Sequence, residues 1–219
     1  MAKPLSYSAI SCYENCPAEY AHKYIWKTPR PDFVVNEKMQ RGLDMHQELE
    51  DFINGDLDKL SEELEHFEDW LNEIKADADF YKAEMEFCFD EEWQPIDFKV
   101  NDGLVRGLKD FVFKNGDVLH VKDWKTGKRY DSHTSQQNLY GLAGLLLFPD
   151  VKEVHSSMVY LDLGEESTIK YTRAMLSSYK WVWERKVKKI REATEFLPRP
   201  SWKCRFCDFS QGNGGPCPN

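Results

Sequence analysis

The sequence predicts an α/β fold in which a mixed sheet is flanked by helices. A hydrophobic content of 41% over 219 residues is enough for a packed core. Short runs of alternating polarity indicate strands at 82–90, 104–113, 117–124, 154–161 and 168–172. Apolar residues at helical spacing indicate helices at 6–24, 36–53, 61–80, 132–147 and 175–196. The order of helix, three strands, helix and strand is typical of a mixed sheet with helices on both faces.

The helices that precede the strands carry recognisable end signals. Ser6 or Ser8 can cap the first helix, and two prolines within 28–32 break the chain after it. The second helix is expected to end near Gly55, because glycine is common just after the last helical residue. The third helix is acidic, with its apolar residues at helical spacing.

The first predicted strand alternates strictly, which assigns its residues to two faces. One face would carry Ala83, Met85, Phe87 and Phe89, and the other would carry Glu84, Glu86 and Cys88.

Charge and composition exclude some classes of protein. The formal net charge of -9 argues against a protein held on nucleic acid by its overall charge, although a local basic groove remains compatible with it. The N-terminus does not read as a signal peptide, and no apolar run is long enough to span a bilayer. We therefore expect a cytoplasmic protein without a membrane partner. Disulfides are rare in that compartment, so the six cysteines need another explanation.

Two carboxylates and a lysine fall at the ends of predicted strands. Asp123 and Lys125 lie on the same side of their strand, and Asp110 lies near the end of the preceding one. The three side chains can therefore converge across a hairpin. Carboxylates suit Mg²⁺ or Mn²⁺, and a lysine can orient a water or hold a phosphate. Taken alone, the pattern also fits two ordinary strand-end acids and a solvated lysine, but its surroundings favour phosphodiester cleavage.

Four further residues are candidates for the same site. His46, in the second helix, could add a nitrogen ligand, although a single helical histidine is more often structural. Glu86 could contact an ion through water, or it could be an ordinary exposed acid. Gln136 and Tyr140 share one face of the helix at 132–147, where they could touch a DNA phosphate or base. Gln137 is the competing candidate on that helix.

The cysteines form a second group of candidate ligands. Cys204 and Cys207 make a C-x-x-C motif, and Cys217 follows in a glycine-rich tail. Such a motif with a third cysteine suggests metal ligation by thiolates. A fourth thiolate could come from Cys12 or Cys16 near the N-terminus, and the site would then staple the two chain ends together. The ligands alone do not separate zinc from iron–sulfur.

In their order along the chain, these motifs resemble the RecB-like PD-(D/E)XK nucleases. The resemblance is to the iron–sulfur exonuclease branch, which includes the CRISPR-associated RecB-like exonucleases and the AddB nuclease domain. It covers nearly the whole chain: residues 5–20, Gly42 to His46, Glu86, Gly107 to Asp110, Asp123 to Lys125, Gln136 to Tyr140, and Cys204, Cys207 and Cys217. Two departures stand out: Asp110 is not preceded by proline, and Asp123 stands where glutamate is more usual.

The resemblance implies a restriction-endonuclease-like fold whose N- and C-terminal regions are stapled by an iron–sulfur cluster. It makes Cys16 the fourth ligand beside the three C-terminal cysteines, leaves Cys12 spare, and favours a 4Fe-4S cluster over zinc. It also implies that one or two Mg²⁺ or Mn²⁺ ions are held by His46, Asp110, Asp123 and the carbonyl of Trp124, with Lys125 positioning the water.

Three segments follow from this assignment. Residues 1–35 would be an N-terminal helical segment with the cluster cysteine, and 36–175 would be the nuclease core. Residues 176–219 would be a C-terminal helix and a cysteine-rich tail. DNA contact is expected from the basic segments 122–129 and 180–191, with Trp181, Trp183 or Trp202 available for stacking on bases.

The function implied is a metal-dependent DNA exonuclease in nucleic-acid processing, recombination or repair, acting on single-stranded DNA or duplex ends. It could work with a replication, recombination or CRISPR-integrase partner. One alternative is a nuclease of CRISPR spacer acquisition. The other is a non-catalytic DNA-binding protein with a nuclease-like core and a structural zinc site.

Overall fold

The computed structural model describes residues 3–30, 35–130 and 132–219. Within them the strands are β1 (Leu5–Ser6), β2 (Phe80–Phe89), β3 (Val105–Asn115), β4 (Val118–Lys125), β5 (Glu153–Tyr160) and β6 (Glu165–Thr172). The α-helices are α1 (Tyr7–Asn15), α2 (Pro17–Tyr20), α3 (Glu37–Asn54), α4 (Glu68–Asp77), α5 (Ser132–Leu147) and α6 (Leu176–Arg191). A π-helical turn at Ala21–Ile25 and short 3₁₀ turns, among them Trp202–Phe206 and Gln211–Asn213, complete the described elements.

All six strands join one mixed sheet. The order is β1-β3-β4-β5-β6, and β2 pairs with β3 as well. The pairs β2–β3, β3–β4 and β5–β6 are antiparallel, whereas β1–β3 and β4–β5 are parallel. The long α5 makes the crossover that a parallel β4–β5 pair requires. The predicted mixed sheet with flanking helices is therefore confirmed.

Two hydrophobic clusters cover the two faces of the sheet. On one face, α1, α5 and α6 pack against the strands, and the buried residues include Ile10, Leu139, Leu142, Trp183 and Val187. On the other face, α3 and α4 do so, and the buried residues include Leu49, Phe52, Leu71, Phe111 and Trp124. Helices α1 and α6 thus pack on the same core as the central strands, while the three-segment division stays a prediction.

The predicted helices are present, but three of them have different bounds. The stretch 175–196 is α-helical only in α6, which ends at Arg191. The stretch 6–24 is interrupted at Cys16, whose backbone is extended so that Pro17 can begin a new helix. The stretch 61–80 is α-helical only in α4, because a 3₁₀ turn precedes that helix and Phe80 already begins β2. Ser6 caps α1 by accepting a hydrogen bond from the Ala9 amide at 3.2 Å. Gly55 ends α3 in the left-handed conformation, with φ at 85°, which glycine adopts without strain.

The strict alternation predicted for β2 is wrong, because the strand changes face at Glu84. Ala83 packs in the α3/α4 cluster, whereas Met85, Phe87 and Phe89 belong with the α1/α5/α6 cluster. Glu84 has φ at 46°, a left-handed conformation that reverses the sense of the alternation. The flanking pairs in the β2–β3 register, Ala83 with Phe111 and Met85 with Lys109, place Glu84 opposite Asp110 although these two residues are not paired themselves. The irregularity therefore lies at the predicted acid site.

No helix in the described part of the chain is both long enough and apolar enough to cross a membrane.

Candidate active site and cysteine cavity

The predicted acids meet where one edge of β3 changes partner. That edge pairs with β4 from Phe111 to Asn115 and with β1 at Val105 and Arg106. Asp110 lies at the fork between these two partners. Its Oδ2 accepts a hydrogen bond from the backbone N–H of Trp124 at 2.7 Å, which replaces a ladder hydrogen bond between the diverging strands. The carboxylate is therefore positioned by the sheet itself.

Asp123 and Lys125 project from β4 on one side, as period-two geometry requires. The Lys125 ammonium forms an ion pair with Asp123 Oδ2. The other carboxylate oxygen, Oδ1, accepts a hydrogen bond from Gln136 Nε2 at 2.9 Å, and that nitrogen also lies 2.9 Å from the Tyr140 hydroxyl. Asp123 is only 2% exposed, so these contacts fix its orientation. Asp110, Asp123 and Lys125 do converge, while their catalytic roles stay predictions.

The competing glutamine on α5 has a structural position. Gln137 is buried and donates to the carbonyls of Ser156 and Ser167, at 2.8 and 2.7 Å. It therefore ties α5 to β5 and β6. Gln136, one position earlier, is the glutamine that reaches the acids.

His46 approaches the same acids from α3. Its Nδ1 lies 3.5 Å from Asp110 Oδ2, and it is in hydrogen-bond contact with the backbone of Trp124. Burial lowers the pKa of His46, so its imidazole is neutral near pH 7 and has a free nitrogen lone pair. Gly42, one turn earlier, allows α3 to approach the loop after β4, because a Cβ there would lie 3.1 Å from Thr126 Oγ1.

Glu84 is a functional candidate that the sequence did not reveal. It lies opposite Asp110 in the register, and burial followed by the negative charges of Glu50 and Asp123 raises its pKa to about 7. Glu86, the predicted acid, is exposed and lies opposite Leu108. Glu84 and Glu86 are two residues apart in β2, so strict alternation predicts the same face for both and could not show which of them lies at the site. The register of β2 on β3 was the missing signal.

The acids form a cluster of excess negative charge. Burial and then the neighbouring Asp123 carboxylate raise the pKa of Asp110 well above its ordinary range, and Lys125 partly offsets this. A divalent cation would favour the ionised form of both carboxylates. Asp123 Oδ2 also fits a metal ligand, because it is buried and makes an ion pair but no hydrogen bond with the described residues.

The described residues do not form a closed cage for a single ion: no group of three or more His, Cys, Asp or Glu side chains qualifies. At the fork, Asp123 does not point towards a shared ion position with Asp110, because its carboxylate contacts Lys125 and Gln136. The predicted ligand set of His46, Asp110, Asp123 and the Trp124 carbonyl therefore stays a proposal.

An open groove leads to the fork. It has a volume of about 730 Å³ and is bounded by α3, by β2 and β3 at Glu84, Leu108 and Asp110, and by Thr126 after β4. His46 lies along its α3 side. The groove gives a ligand access to the acids from solvent.

A second, smaller cavity, of about 30 Å³, lies between residues near the N-terminus and the C-terminal tail. Its lining includes all four predicted cluster cysteines: Cys16, Cys204, Cys207 and Cys217. Hydrogen-bond donors point at the sulfurs: the Arg199 amide lies 3.4 Å from Cys16 Sγ, and the Ser201 amide lies 3.3 Å from Cys204 Sγ. Burial raises the pKa of the Cys207 thiol, and the four cysteines do not lie close enough together to form an ion site among the described residues. A thiolate-bound cluster in this cavity therefore stays a proposal. Burial raises the pKa of Cys12 to about 12, and Cys12 does not line the cavity.

Two of the residues predicted to contact DNA are not available for it. Trp183 is 1% exposed and its Nε1 donates to Asn138 Oδ1 at 2.7 Å, so it belongs to the core. Lys122 is also buried, where it pairs with Glu166 at 2.6 Å. Trp181 and Trp202 are exposed, as base stacking requires.

Comparison with known proteins identifies the class. A family model for the PD-(D/E)XK nuclease superfamily matches residues 4–211, and the chain belongs to that superfamily. Its name describes paired acids followed by a lysine, and the assignment of those positions to Asp110, Asp123 and Lys125 stays a prediction. Nucleases of this superfamily generally use divalent ions such as Mg²⁺.

Individual relatives are distant. The RecBCD enzyme subunit RecB of Borreliella burgdorferi is 28% identical over 71 residues, which are 32% of this chain and 5% of that protein. The crystal structure of SSO0001 matches with a TM-score of 0.49 and 14% identity, covering 95% of this chain and 85% of that one. A structure from Eubacterium rectale, whose exonuclease assignment is provisional, matches with a TM-score of 0.49 and 11% identity, covering 94% and 87%.

Proposed function

We propose that this protein is a Mg²⁺- or Mn²⁺-dependent deoxyribonuclease that degrades DNA from an end. The observation that carries the proposal is the convergence of Asp110, Asp123 and Lys125 at the β3–β4 fork of a PD-(D/E)XK chain. His46, Asp110, Asp123 and the Trp124 carbonyl would hold the ion. A bound divalent ion would supply positive charge against the scissile phosphate and lower the pKa of water.

The side chains at the fork have separate tasks in this proposal. Lys125 holds the attacking water or a phosphate oxygen, since its ammonium already lies at the Asp123 carboxylate. Gln136 and Tyr140 fix the orientation of Asp123 from α5. Neutral His46 supplies a nitrogen without adding positive charge. Glu84 adds a third carboxylate beside Asp110.

A 4Fe-4S cluster in the cysteine cavity is the second part of the proposal. The four cysteines that line one cavity come from both chain ends, and the amides of Arg199 and Ser201 point at two of the sulfurs. A cluster there would join residues before α2 to the C-terminal tail. Protein purified without oxygen should contain about four irons per chain. Stoichiometric zinc without iron would instead support a structural zinc site.

Cleavage of linear DNA and of covalently closed circles tests the reaction. Linear molecules should be degraded progressively when Mg²⁺ or Mn²⁺ is present, and a chelator should stop the reaction. Closed circles should be cut far more slowly because they offer no end. Activity should fall steeply with salt, since phosphate contacts release counterions. Rapid cutting of closed circles would show that the protein is an endonuclease rather than an exonuclease. If no DNA were cut with any metal, the result would support a non-catalytic DNA-binding protein.

A further inference from the structure

The groove at the fork has an apolar side that the proposed chemistry does not use. Met39 and Leu43 line it from α3, and Leu108 lines it from β3. These side chains are 43%, 60% and 37% exposed, respectively. Leu108 lies two residues before Asp110, so the apolar side of the groove adjoins the acid cluster.

Packing among the described residues does not account for these exposed side chains. Helix α3 packs on the sheet through a different face, formed by Met45, Leu49, Phe52 and Ile53. Met39 and Leu43 are spaced i, i+4 and share a face with Gln47, which also lines the groove. Two apolar residues on a solvent-facing side beside a site indicate contact with a ligand that has an apolar surface.

The charges of the groove indicate which part of a nucleic acid would touch this side. Glu50, Glu84 and Asp110 line the groove, against the single cation of Lys38 among its lining residues. Bound metal ions would offset the acids next to Asp110, and the rest of this lining offers an anionic backbone little positive charge. A nucleobase is uncharged and planar, and it gains from contact with apolar side chains. About 730 Å³ is ample for a group of nucleotide size.

We propose that Met39, Leu43 and Leu108 form a seat for an unpaired nucleobase next to the scissile phosphate, which makes single-stranded DNA the preferred substrate. The proposal rests on the proposed nuclease function and adds its substrate class. In a duplex, each base is stacked and paired, so its faces are not free to enter the groove. Double-stranded ends would have to fray before they could be cut.

The test compares a single-stranded oligonucleotide, the same strand with abasic terminal nucleotides, and the blunt duplex. The variants are Leu43→Ser and Leu108→Ser, with Leu197→Ser as the control, because Leu197 is exposed to a similar degree and lies outside the groove. All three leucines are exposed, so thermal melting should not change among the variants. The readout is kcat/KM for each pair of protein and substrate.

We expect Leu43→Ser to lower kcat/KM on the single strand about tenfold, and abasic nucleotides to lower it similarly for the unaltered protein. Combining the two changes should cause little further loss, since both remove the same contact. Leu197→Ser should have no effect. Multiplicative losses, or a duplex cut as fast as the single strand, would overturn the base seat and leave the nuclease intact.

Binding provides a readout that does not depend on cleavage. Fluorescence anisotropy with the same oligonucleotides and the Asp110→Asn variant should show weaker binding of the abasic strand, and Leu43→Ser should remove that difference. If no substrate is cut, the proposed function fails, and this measurement still decides the base seat. Equal affinity for the normal and abasic strands would refute it.

Discussion

The β3–β4 fork and the cysteine cavity both gather candidate metal ligands, but they are held in place by different means. At the fork, Trp124 between the two catalytic candidates is 1% exposed, and its ring stacks on the buried Phe111. In the described tail from 198 to 219, only Phe209 and Ser210 are buried, and the secondary structure consists of short 3₁₀ turns and one isolated bridge between Ser210 and Cys217. The fork belongs to the core, whereas the tail has almost no core.

The core therefore positions the acids at the fork, whereas in the tail the proposed metal would itself have to hold the segment in place. Burial of apolar side chains around the fork can hold Asp110 and Asp123 close together despite their repulsion. The tail buries too little to offset the entropy of ordering its backbone, so ligand bonds must contribute much of its stability. Loss of metal should therefore abolish cleavage at the fork without unfolding the core, whereas loss of metal from the cysteine cavity should unfold the tail.

The largest expected effect is the loss of cleavage in Asp110→Asn. We expect kcat/KM to fall about 10³-fold, because the substitution removes a carboxylate from the proposed metal site. The metal-free variant should be at least as stable as the unaltered protein, since the raised pKa of Asp110 shows that the folded state favours its neutral form. Nuclease assays and chemical denaturation check both parts.

Asp117→Asn is the matched control for that substitution, because Asp117 is half exposed and lies in the β3–β4 turn at the other end of the hairpin. It should cleave normally. If Asp110→Asn retained activity, the fork would not be the active site. If Asp110→Asn unfolded the protein, packing of the core would not be sufficient to keep the fork in place.

The next effect concerns the cysteine cavity, where Cys204→Ser should act on structure rather than chemistry. We expect loss of iron and a local destabilisation of the tail by about 3 kcal/mol, because bound metal contributes folding free energy. Limited proteolysis should then cut within 198–219, while α5 and the sheet stay protected. Iron analysis and the cleavage pattern are the measurements.

Cys12→Ser provides the contrast, since Cys12 packs against the core and lies outside the cavity lining. Iron content should remain unchanged in that variant. Bleaching by Cys12→Ser but not by Cys16→Ser would show that the fourth ligand is Cys12. An intact, protease-resistant tail in metal-free protein would abolish the contrast between the two regions.

The same contrast explains what the sequence could predict. Alternation and helical spacing report burial, so they gave the mixed sheet, the helices and the side of β4 that carries Asp123 and Lys125. Spacing along α5 likewise placed Gln136 and Tyr140 on one face. These features depend on neighbours within one segment.

Features that depend on the pairing of distant segments were not predictable in this way. The left-handed Glu84 breaks the alternation of β2, and nothing in its local sequence signals that conformation. Its place opposite Asp110 follows from the register of β2 on β3, which a single sequence does not contain. For the same reason the burial of Trp183 was missed, because its partner Asn138 lies on another helix.

A smaller effect is expected from Lys109→Met, which measures the free-energy cost of burying the Lys109 ammonium next to the fork. Lys109 is 0% exposed, its ammonium has no hydrogen-bond partner among the described residues, and burial lowers its pKa to about 7. Methionine has a similar volume and no polar atom to satisfy. The free energy of unfolding should rise by about 2 kcal/mol at pH 7.

The pH dependence gives a sign that checks the cause. Between pH 7 and the ordinary lysine pKa of 10.5, the unfolded chain keeps a proton that the folded state has released, so the unaltered protein gains stability as pH rises. The advantage of Lys109→Met should therefore shrink towards pH 10. A constant difference, or a loss of stability at pH 7, would mean that a partner offsets the burial of Lys109, such as the Phe87 ring, whose centroid lies 5.1 Å from the ammonium.

The smallest expected effect is that of Glu84→Gln on the metal-free protein, and it measures the repulsion that the core overcomes at the fork. Burial, then Glu50 and Asp123, raise the pKa of Glu84 from 4.5 to about 7. Within that window the folded state keeps a proton that the unfolded chain has lost, so stability falls as pH rises. Glu84 is partly exposed, so screening should limit its contribution to about 1 kcal/mol. Glu84→Gln should match the unaltered protein at pH 4.5 and exceed it increasingly up to pH 7. Parallel curves for Glu84→Gln and the unaltered protein would show that Glu84 does not share the charge of the acid cluster.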